Sequence, residues 1–370
     1  MARRIHIVGG GPTGLLLGCL CADRGWSVRV FERRVEPVTH SRSIGIHPPS
    51  LALFERLGIL SAFLQAGNRI DTGAAFLGAR PMGRIDFANL GLSHPFILTL
   101  AQSVTEQILT DALLARAPNA LRRGCAVTGV RSTVDAAILT TADGAEHAAD
   151  FVVICEGHGG TLRATLGDQE SARPYPHQYV MGDFVDQGAA RHEARVHICA
   201  QGLVESFPHG ANQRRWVLRV PQRVDPVTAE QVTTWIHERI GVRPDPATCS
   251  MVSGFQPHRR GAKRWVYDRV ILAGDAAHVV SPIGGQGMNL GWLDAAALTE
   301  ALADGSAAAL RQYQQRGQRR ARQAMRRAEF NMACGRPFGV SWWPRLWLWL
   351  LMQDPIKRRF GRAFTMQGLA

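Results

Sequence analysis

Residues 4–32, RIHIVGGGPTGLLLGCLCADRGWSVRVFE, decide the fold of this chain. A short β-branched strand, Arg4–Val8, runs directly into a glycine-rich turn, Gly9–Gly14. An apolar helix follows and closes at Gly25, and a second strand, Ser27–Phe31, ends at Glu32. A strand, a GxGxxG turn, a helix and a second strand ending in an acid, all within about thirty residues, predict a dinucleotide-binding βαβ unit.

The residue types in this turn suit that task. Gly9 makes the tight turn, Gly11 lets the backbone approach a pyrophosphate, and Gly14 lets the helix pack closely on the strand. The N-terminus of the helix offers free N–H groups and the positive end of its dipole to phosphates. Glu32 is placed to accept hydrogen bonds from ribose hydroxyls. The predicted contacts in this unit are Gly9, Gly11, Pro12, Thr13, Gly14 and Glu32.

Two further buried strands each end in a glycine-centred turn. The apolar run at 150–155 leads into Glu156-Gly157, and the run at 269–273 leads into Gly274-Asp275. The stretch Pro282–Asn289, PIGGQGMN, then opens another helix. Because the C-terminal ends of parallel strands meet at one edge of a sheet, the three turns are predicted to converge on one ligand.

Composition and motifs exclude several classes of protein. With 46% hydrophobic and 20% charged residues among 370, the chain has the composition of a folded protein with a core. Its seven cysteines form no CxxC pair and show no zinc spacing, so no metal site is expected. A strand that begins at Arg4 leaves no room for a signal peptide, and no apolar run reaches the roughly 18 residues of a spanning helix. A cytoplasmic location is the expectation.

The three motifs together resemble the flavin-dependent monooxygenases of the para-hydroxybenzoate hydroxylase type (class A). Within them the chain looks closest to the ubiquinone-biosynthesis hydroxylase branch. The resemblance spans about residues 3–330. It implies FAD as the bound cofactor and NAD(P)H as co-substrate.

The resemblance also implies roles for individual residues. The first turn and Glu32 would bind the adenosine half of FAD, and Asp275 the ribityl chain. Gly157 lies in the family's Asp-Gly motif, where this chain has Glu156, with Arg163 at the motif's end. Further cofactor contacts implied by the resemblance are Arg33, Arg42, Gln102, Gly157, Gly274, Asp275, Gly284, Gly285, Gly287, Met288 and Asn289, and the implied catalytic positions are Pro282, Gly285 and His47.

The fold class that follows is α/β: a Rossmann-like FAD-binding domain with an inserted, mainly antiparallel β-sheet substrate domain and a C-terminal helical segment. We assign residues 1–70, 100–170 and 265–300 to the FAD-binding domain and residues 71–99 and 171–264 to the substrate domain. Residues 301–370 form the C-terminal helices. On the inserted sheet, Tyr179 could contact an aromatic substrate or pack in the core. In the FAD-binding domain, His278 follows Asp275 by three residues and could contact the flavin or the substrate, or make a structural hydrogen bond.

The family mechanism requires few acid–base side chains from the protein. NAD(P)H reduces the flavin, O₂ converts it to a C4a-hydroperoxide, and one oxygen atom hydroxylates or epoxidises an aromatic or lipophilic small molecule. The protein buries this chemistry and orients the substrate. Two alternatives stay open: an FAD-linked reductase of an isoprenoid-type substrate, and a non-catalytic FAD-binding scaffold.

The C-terminal segment carries most of the charge. Residues 311–370 hold thirteen basic and two acidic residues, which is +11 of the net +13. The apolar run Trp342–Met352 is followed by the basic stretch Lys357–Arg362. This pattern is typical of an interfacial helix in peripheral membrane contact, and also of a C-terminal helix packed on the substrate domain or against a dimer partner. No motif accompanies the arginines that would predict nucleic-acid binding.

Overall fold

The structure is a computed structural model, and it describes residues 2–37, 43–167, 172–186, 188, 191–210, 212–337, 346, 350 and 352–369. Nine helices have their bounds within these residues: α1 (Pro12–Asp23), α2 (Pro48–Arg56), α3 (Leu60–Ala66), α4 (Gln102–Arg116), α5 (Leu162–Thr165), α6 (Ala229–Ile240), α7 (Gly287–Asp304), α8 (Ala307–Cys334) and α9 (Ile356–Phe364).

The strands of the described residues are β1 (Arg4–Val8), β2 (Ser27–Glu32), β3 (Gly45–Ile46), β4 (Asn68–Ile70), β5 (Thr72–Leu77), β6 (Arg80–Asp86), β7 (Ile97–Thr99), β8 (Leu121–Arg123), β9 (Val127–Ser132), β10 (Ala137–Thr141), β11 (Glu146–Ala149), β12 (Phe151–Ile154), β13 (Arg173–Pro174), β14 (Gln178–Val185), β15 (Glu193–Cys199), β16 (Gly202–His209), β17 (Gln213–Val220), β18 (Met251–Phe255), β19 (His258–Gly261), β20 (Val266–Tyr267), β21 (Val270–Leu272) and β22 (His278–Val279).

A six-stranded sheet in the order β20-β21-β12-β1-β2-β8 carries the glycine-rich turns. Its strands β21, β12, β1, β2 and β8 pair in parallel, and β20 adds an antiparallel edge. The central strands are buried on both faces, with Ile5, Ile7 and Val153 fully buried. The helix α1 covers one face, and the three-stranded sheet β11-β10-β9 covers the other, where His6 contacts His147. The helix α1 packs against α4 and α7.

A seven-stranded sheet in the order β18-β14-β17-β16-β15-β5-β6 forms the second layer. It is antiparallel except where β15 pairs in parallel with β5, a strand from much earlier in the chain. One face packs on α6 through Val180, Phe184 and Leu218. The opposite face, which carries Tyr179, Met181 and Val217, packs with Ile283 and Met332. The α/β fold class, with its antiparallel sheet and C-terminal helices, is confirmed.

The C-terminal helix α9 packs on this second sheet. Phe360 and Phe364 pack with the cluster formed by Ile85, Phe87 and Leu90, and Met352 is buried in the same cluster. Most of the Trp342–Met352 run lies outside the described residues; of it the structure describes residues 346, 350 and 352. No helix in the part of the chain that the structure describes is long and apolar enough to cross a membrane.

Candidate active site at the ends of the parallel strands

A cavity of about 1380 Å³ lies between the C-terminal ends of the parallel strands and the second sheet. On one side it is lined by the turns that follow β1, β2, β12 and β21. On the other side it is lined mainly by apolar and aromatic side chains of the seven-stranded sheet, among them Tyr179, Met181 and Phe207, together with the charged residues Glu205 and Arg215. A polar backbone-lined compartment therefore continues into an apolar compartment.

The Gly9–Gly14 turn has one position that the protein itself does not require to be glycine. Gly9 has φ +109°, and a Cβ there would overlap the backbone of Cys155. A Cβ on Gly14 would overlap the Gly9 carbonyl oxygen. A Cβ on Gly11 would meet no atom within 4 Å, although Gly11 lines the cavity. Gly9 and Gly14 are thus explained by packing, whereas Gly11 leaves room for a ligand.

The start of α1 adds donors to this turn. Gly11 is the N-cap of the helix, Pro12 occupies its first position, and no side chain caps the helix. The first N–H groups of a helix have no partner within it, so those of this turn can bind an anion such as a diphosphate.

Glu32, the last residue of β2, is buried and held in place. Its Oε2 accepts the Gly10 N–H at 2.7 Å, and its Oε1 accepts from the N–H and Nε of Arg34 at 2.9 and 3.0 Å. Burial acts to raise the pKa of Glu32, but these hydrogen bonds and the Arg34 charge together hold it below its usual value. A carboxylate can accept about four hydrogen bonds, so one position remains for a ribose hydroxyl.

Gln102 begins α4 beside Glu32 and lines the same end of the cavity. Its Nε2 donates to Oε1 of Glu106 at 2.9 Å, and burial raises the pKa of Glu106. Arg33 lines the cavity as well. This end thus combines buried acceptors with a cation.

The turns after β12 and β21 are tied together by Arg260, which is 7% exposed. Its Nη1 donates to the His158 carbonyl oxygen at 3.1 Å and its Nη2 to the Asp275 carbonyl oxygen at 2.9 Å. Asp275 lines the cavity, and burial raises the pKa of its carboxyl. Glu156 accepts the Leu162 N–H at 3.1 Å, so its carboxylate caps the short helix α5.

The loop before α7 is held by Asn289, which is fully buried. Its Oδ1 accepts the His47 N–H at 2.8 Å and the Ser50 hydroxyl at 2.7 Å. Its Nδ2 donates to the carbonyl oxygens of Gly45 and Gly285 at 2.9 and 3.0 Å. One bond reaches the Gly284–Gly285 turn, where both glycines have positive φ, and the other three reach residues 45–50. Asn289 therefore links this turn to β3 and the start of α2.

His47 lies against this turn and lines the cavity. Burial lowers the pKa of His47 to about 4, so its ring is neutral near pH 7. A neutral imidazole next to the loop can orient a ligand through one ring nitrogen, but it carries no positive charge.

His278 lies away from the cavity and makes a structural hydrogen bond. Its Nε2 is 2.5 Å from Oδ2 of Asp294, and both side chains are buried. Burial acts to lower the pKa of His278, but the Asp294 carboxylate holds it above its usual value. Of the two expectations for His278, the structural one fits.

The structure brings most of the predicted site residues to this one cavity. The predicted positions among its lining residues are Gly9, Gly11, Pro12, Thr13, Glu32, Arg33, His47, Gln102, Gly157, Asp275, Pro282, Gly284, Gly285, Gly287 and Met288. Three predicted positions do not line the cavity but support its wall. Gly14 and Gly274 allow close packing behind the lining, and Asn289 holds the lining in place through hydrogen bonds. Arg42 lies outside the described residues.

Sequence reasoning missed Glu106, Arg260 and Glu205. Glu205 lines the apolar compartment and is 7% exposed. The sequence does contain a signal for Glu205. Alternate residues of a strand share one face, so Leu203, Glu205 and Phe207 of β16 point to the same side, which places an acid among apolar residues. Arg260 gave no local signal, because its partners are carbonyl groups more than ten residues away.

These residues fit FAD. A diphosphate fits the open space at Gly11 and the uncapped start of α1, and a ribose fits Glu32. The backbone of the Gly284–Gly287 loop, whose Gly287 would also place a Cβ in open space, suits the edge of a flat ring. In the described part of the chain, no group of three or more His, Cys, Asp or Glu side chains could hold a metal ion.

The comparisons with known proteins agree with this geometry. A family described as "FAD binding domain" matches residues 3–328. A rifampicin monooxygenase of Streptomyces venezuelae is 32% identical over 301 residues, which cover 79% of this chain and 62% of the relative. A 12-dehydrotetracycline 5-monooxygenase/anhydrotetracycline 6-monooxygenase of Streptomyces rimosus is 32% identical, covering 80% and 61%. The chain thus spans about three fifths of the length of these two relatives.

Among solved structures, p-nitrophenol 4-monooxygenase PnpA from Pseudomonas putida DLL-E4 superposes with a TM-score of 0.88. The superposition covers 99% of this chain and 98% of that one at 22% sequence identity. At this identity the likeness is one of fold.

Proposed function

Because the chain belongs to this family of FAD-binding domains, we propose that it is an FAD-dependent monooxygenase that uses NAD(P)H and O₂ to hydroxylate an aromatic small molecule. Bound FAD would supply the redox chemistry, the oxidation of NAD(P)H and the activation of O₂, with one oxygen atom entering the product and the other leaving as water. The similar proteins include monooxygenases of anhydrotetracycline and p-nitrophenol and an anhydrotetracycline hydroxylase.

One observation carries the proposal. The backbone-lined compartment of Gly11, Asp275 and the Gly284–Gly287 loop opens directly into a compartment lined by Tyr179 and Phe207. A cofactor held by the first would meet a flat apolar substrate held by the second inside one cavity. The bound cofactor and substrate would themselves displace water from the reacting atoms.

The chain's own residues then bind, orient and enclose. The first turn of α1 and Glu32 would hold the adenosine diphosphate half of FAD, and Asp275 would hold the ribityl chain. The Gly285 N–H is bonded to the Pro282 carbonyl oxygen at 2.9 Å. The N–H groups where the Gly284–Gly287 loop runs into the uncapped start of α7 would donate to the ring edge and stabilise negative charge there. Pro282 and His47 line the space beside that loop, and Asn289 keeps the loop in register with α2.

A reductase would use the same FAD compartment but would form no product that contains oxygen from O₂. The aromatic lining, with Tyr179 stacked on Phe255 at 5.6 Å between ring centroids, favours a flat ring over an isoprenoid chain. A scaffold would need no enclosed compartment beside the cofactor. The cavity therefore supports the monooxygenase over both alternatives.

The test uses the purified full chain loaded with FAD. A panel of aromatic compounds is supplied with NADH or NADPH and isotopically labelled O₂, and products are analysed by mass spectrometry. We expect NAD(P)H oxidation that accelerates with substrate, and one labelled oxygen atom in the product. A saturated, unlabelled product would favour the reductase, and no NAD(P)H-dependent reduction of the flavin would favour the scaffold.

Two variants, one inside the cavity and one outside it, test whether product formation depends on this cavity. Asp275→Asn, in the cavity, should lower FAD retention and product formation together. Asp268→Asn, whose side chain is 81% exposed and lies outside the cavity lining, should leave both unchanged. Equal behaviour of the two variants would argue against a role for Asp275 in FAD binding.

A lipophilic substrate, the narrower likeness to the ubiquinone-biosynthesis branch, a cytoplasmic location and peripheral membrane contact stay predictions. For the last, the described residues favour packing on the protein, because Phe360, Phe364 and Met352 contact the second sheet. Lys357 and Arg358 lie within 4 Å of Asp354, which neutralises part of the basic stretch. Sedimentation of the chain with anionic vesicles tests the membrane prediction directly.

A further inference from the structure

We propose that Glu205 selects the substrate: its carboxylate binds a hydroxyl or N–H donor on the aromatic ring and repels aromatic carboxylic acids. This inference rests on the proposed function, since it names the substrate class of the same cavity. It concerns the apolar compartment, for which the sequence motifs give no information.

The position of Glu205 follows from strand register. Glu205 on β16 pairs with Val217 on β17, which in turn pairs with Met181 on β14. Paired residues share a face of the sheet, so Glu205 points to the same side as these two apolar residues. That side is the one that lines the cavity and packs with Ile283, next to Pro282 of the loop before α7.

Glu205 has no protein partner among the residues that the structure describes. Neither a hydrogen bond nor an ion pair reaches its carboxyl, although the side chain is only 7% exposed. Buried carboxylates are almost always paired, because an unpaired buried charge is costly. Burial alone raises the pKa of Glu205 to about 7. An unpaired carboxyl in a cavity wall is explained if a ligand supplies its partner.

The charged side chains nearby are bound to other groups. Arg215 donates from Nε and Nη2 to the two oxygens of Asp183, both at 2.7 Å. His209 lies 4.0 Å from the same carboxylate. Arg219, on the same face, donates to His177 at 3.0 Å. Arg215 and Arg223 line the same cavity, but each already pairs with a carboxylate, Asp183 for Arg215 and Asp225 for Arg223. A substrate carboxylate would therefore have to compete with these ion pairs while facing the charge of Glu205.

Tyr179 provides a second polar group in the same wall. Its hydroxyl is buried and has no hydrogen-bond partner among the described residues. The negative charge of Glu205 contributes to the raised pKa of Tyr179, after the larger effect of burial, so the two groups are near neighbours. A phenol or an aromatic amine could donate to Glu205 and accept from Tyr179, which would satisfy both groups at once.

The physical consequence is selectivity against compounds that lack the donor. A ligand without an O–H or N–H leaves the buried carboxyl unpaired, and a site built to bind such a donor discriminates strongly against the analogue without it. We expect at least a tenfold preference for a donor over its O-methyl ether. We expect still weaker binding of the corresponding carboxylate.

The test measures binding, not turnover. Dissociation constants of 2-naphthol, 2-methoxynaphthalene and 2-naphthoate are determined by calorimetry on the FAD-loaded full chain at pH 8. These three probes share one ring system and differ only in the group offered to Glu205. The expected order of affinity is naphthol, then the ether, then the carboxylate.

Two substitutions at Glu205 separate the two parts of the proposal. Glu205→Gln keeps a hydrogen-bond acceptor but removes the charge, so discrimination against naphthoate should collapse while some preference for naphthol remains. Glu205→Leu should abolish the preference for naphthol over the ether. Because each change removes an unpaired buried carboxyl, unfolding curves and FAD content should match or exceed those of the unmodified chain.

Glu193→Gln is the matched control. Glu193 lies on β15 in the same sheet, is outside the cavity lining, and pairs with Arg84 and Arg195 at 3.0 and 2.8 Å. This variant should keep the affinity order of the unmodified chain.

The proposal is wrong if the unmodified chain binds naphthol no better than the ether, including the case in which neither binds. It is also wrong if the Glu205 variants keep the original order. Failure of the proposed function would be seen differently, as the absence of labelled oxygen in any product, whatever the binding order.

Discussion

The glycine-rich turn offers a sharp test, because two glycines three residues apart should respond to the same substitution in opposite ways. Gly14→Ala places a methyl group closer than 3.0 Å to the Gly9 carbonyl oxygen. That carbonyl cannot turn aside, because it shares a peptide plane with the Gly10 N–H, which donates to Oε2 of Glu32 at 2.7 Å. Gly11→Ala places its methyl group in open space within the cavity lining.

The magnitudes follow from these contacts. Overpacking of this kind costs about 3 kcal/mol, the upper end of its usual range, and alanine's helix propensity returns about 1 kcal/mol. Gly14→Ala should therefore lower the free energy of unfolding by about 2 kcal/mol. Gly11→Ala should change the stability of the FAD-free chain by less than about 0.5 kcal/mol. Its methyl group stands where the diphosphate approaches, so FAD affinity should fall at least tenfold.

The assay is thermal unfolding with and without excess FAD, together with FAD titration followed by flavin fluorescence. Gly14→Ala should unfold at lower temperature in both conditions. Gly11→Ala should unfold normally without FAD but gain little from its addition, because stabilisation by a ligand scales with its affinity. If Gly11→Ala bound FAD as tightly as the unmodified chain, the diphosphate would not pass over Gly11. Unchanged stability of Gly14→Ala would refute the packing argument.

Three further predictions concern buried polar groups. Burial raises the pKa of Glu205 from 4.5 in the unfolded chain to about 7 in the folded chain. The free energy of unfolding therefore falls as pH rises between these two values. Urea unfolding should show a loss of about 2–3 kcal/mol between pH 5 and pH 8 that is absent in Glu205→Gln. Asn289→Ala removes the four hydrogen bonds that link the Gly285 turn to residues 45–50. FAD affinity should therefore drop, and the free energy of unfolding should fall by about 2–4 kcal/mol. Tight FAD binding by this variant would show that the turn keeps its conformation without these bonds. The His278–Asp294 pair raises the histidine pKa, so its stabilisation is complete below about pH 6.5 and is lost as pH rises through the raised value. Asp294→Asn should flatten that dependence, and NMR titration of His278 should show its pKa lowered; a pKa that does not move would refute the coupling.

Much of the fold could be predicted from the sequence because its signals are local. The run from Arg4 to Glu32 specifies strand, turn, helix and strand through neighbouring residues, and the structure has β1, α1 and β2 over these positions. The capping box of Thr228 and Gln231 likewise marks the start of α6 within four residues. The family motifs then placed the three turns together.

Other features depend on residues that only the folded chain brings together. Asp294 lies within α7 and pairs with His278, and nothing near either residue indicates the other. The parallel pairing of β5 with β15 joins Thr72 to Glu193 across more than a hundred residues. Whether Glu205 is paired or unpaired depends on where Arg215 and Asp183 lie, which strand register decides and composition does not.

The position of β21 has a consequence for synthesis. Its turn at Gly274-Asp275 and the loop that starts α7 emerge from the ribosome more than 240 residues after β2, yet both line the same cavity as Gly11. FAD therefore cannot find its complete set of contacts until most of the chain has been made, and the parallel sheet must wait for its inner strand β21 between β12 and β20. Such non-local pairing is slow and leaves apolar strand edges open to association in the meantime. A nascent chain halted before residue 270 should depend on chaperones whether or not FAD is present.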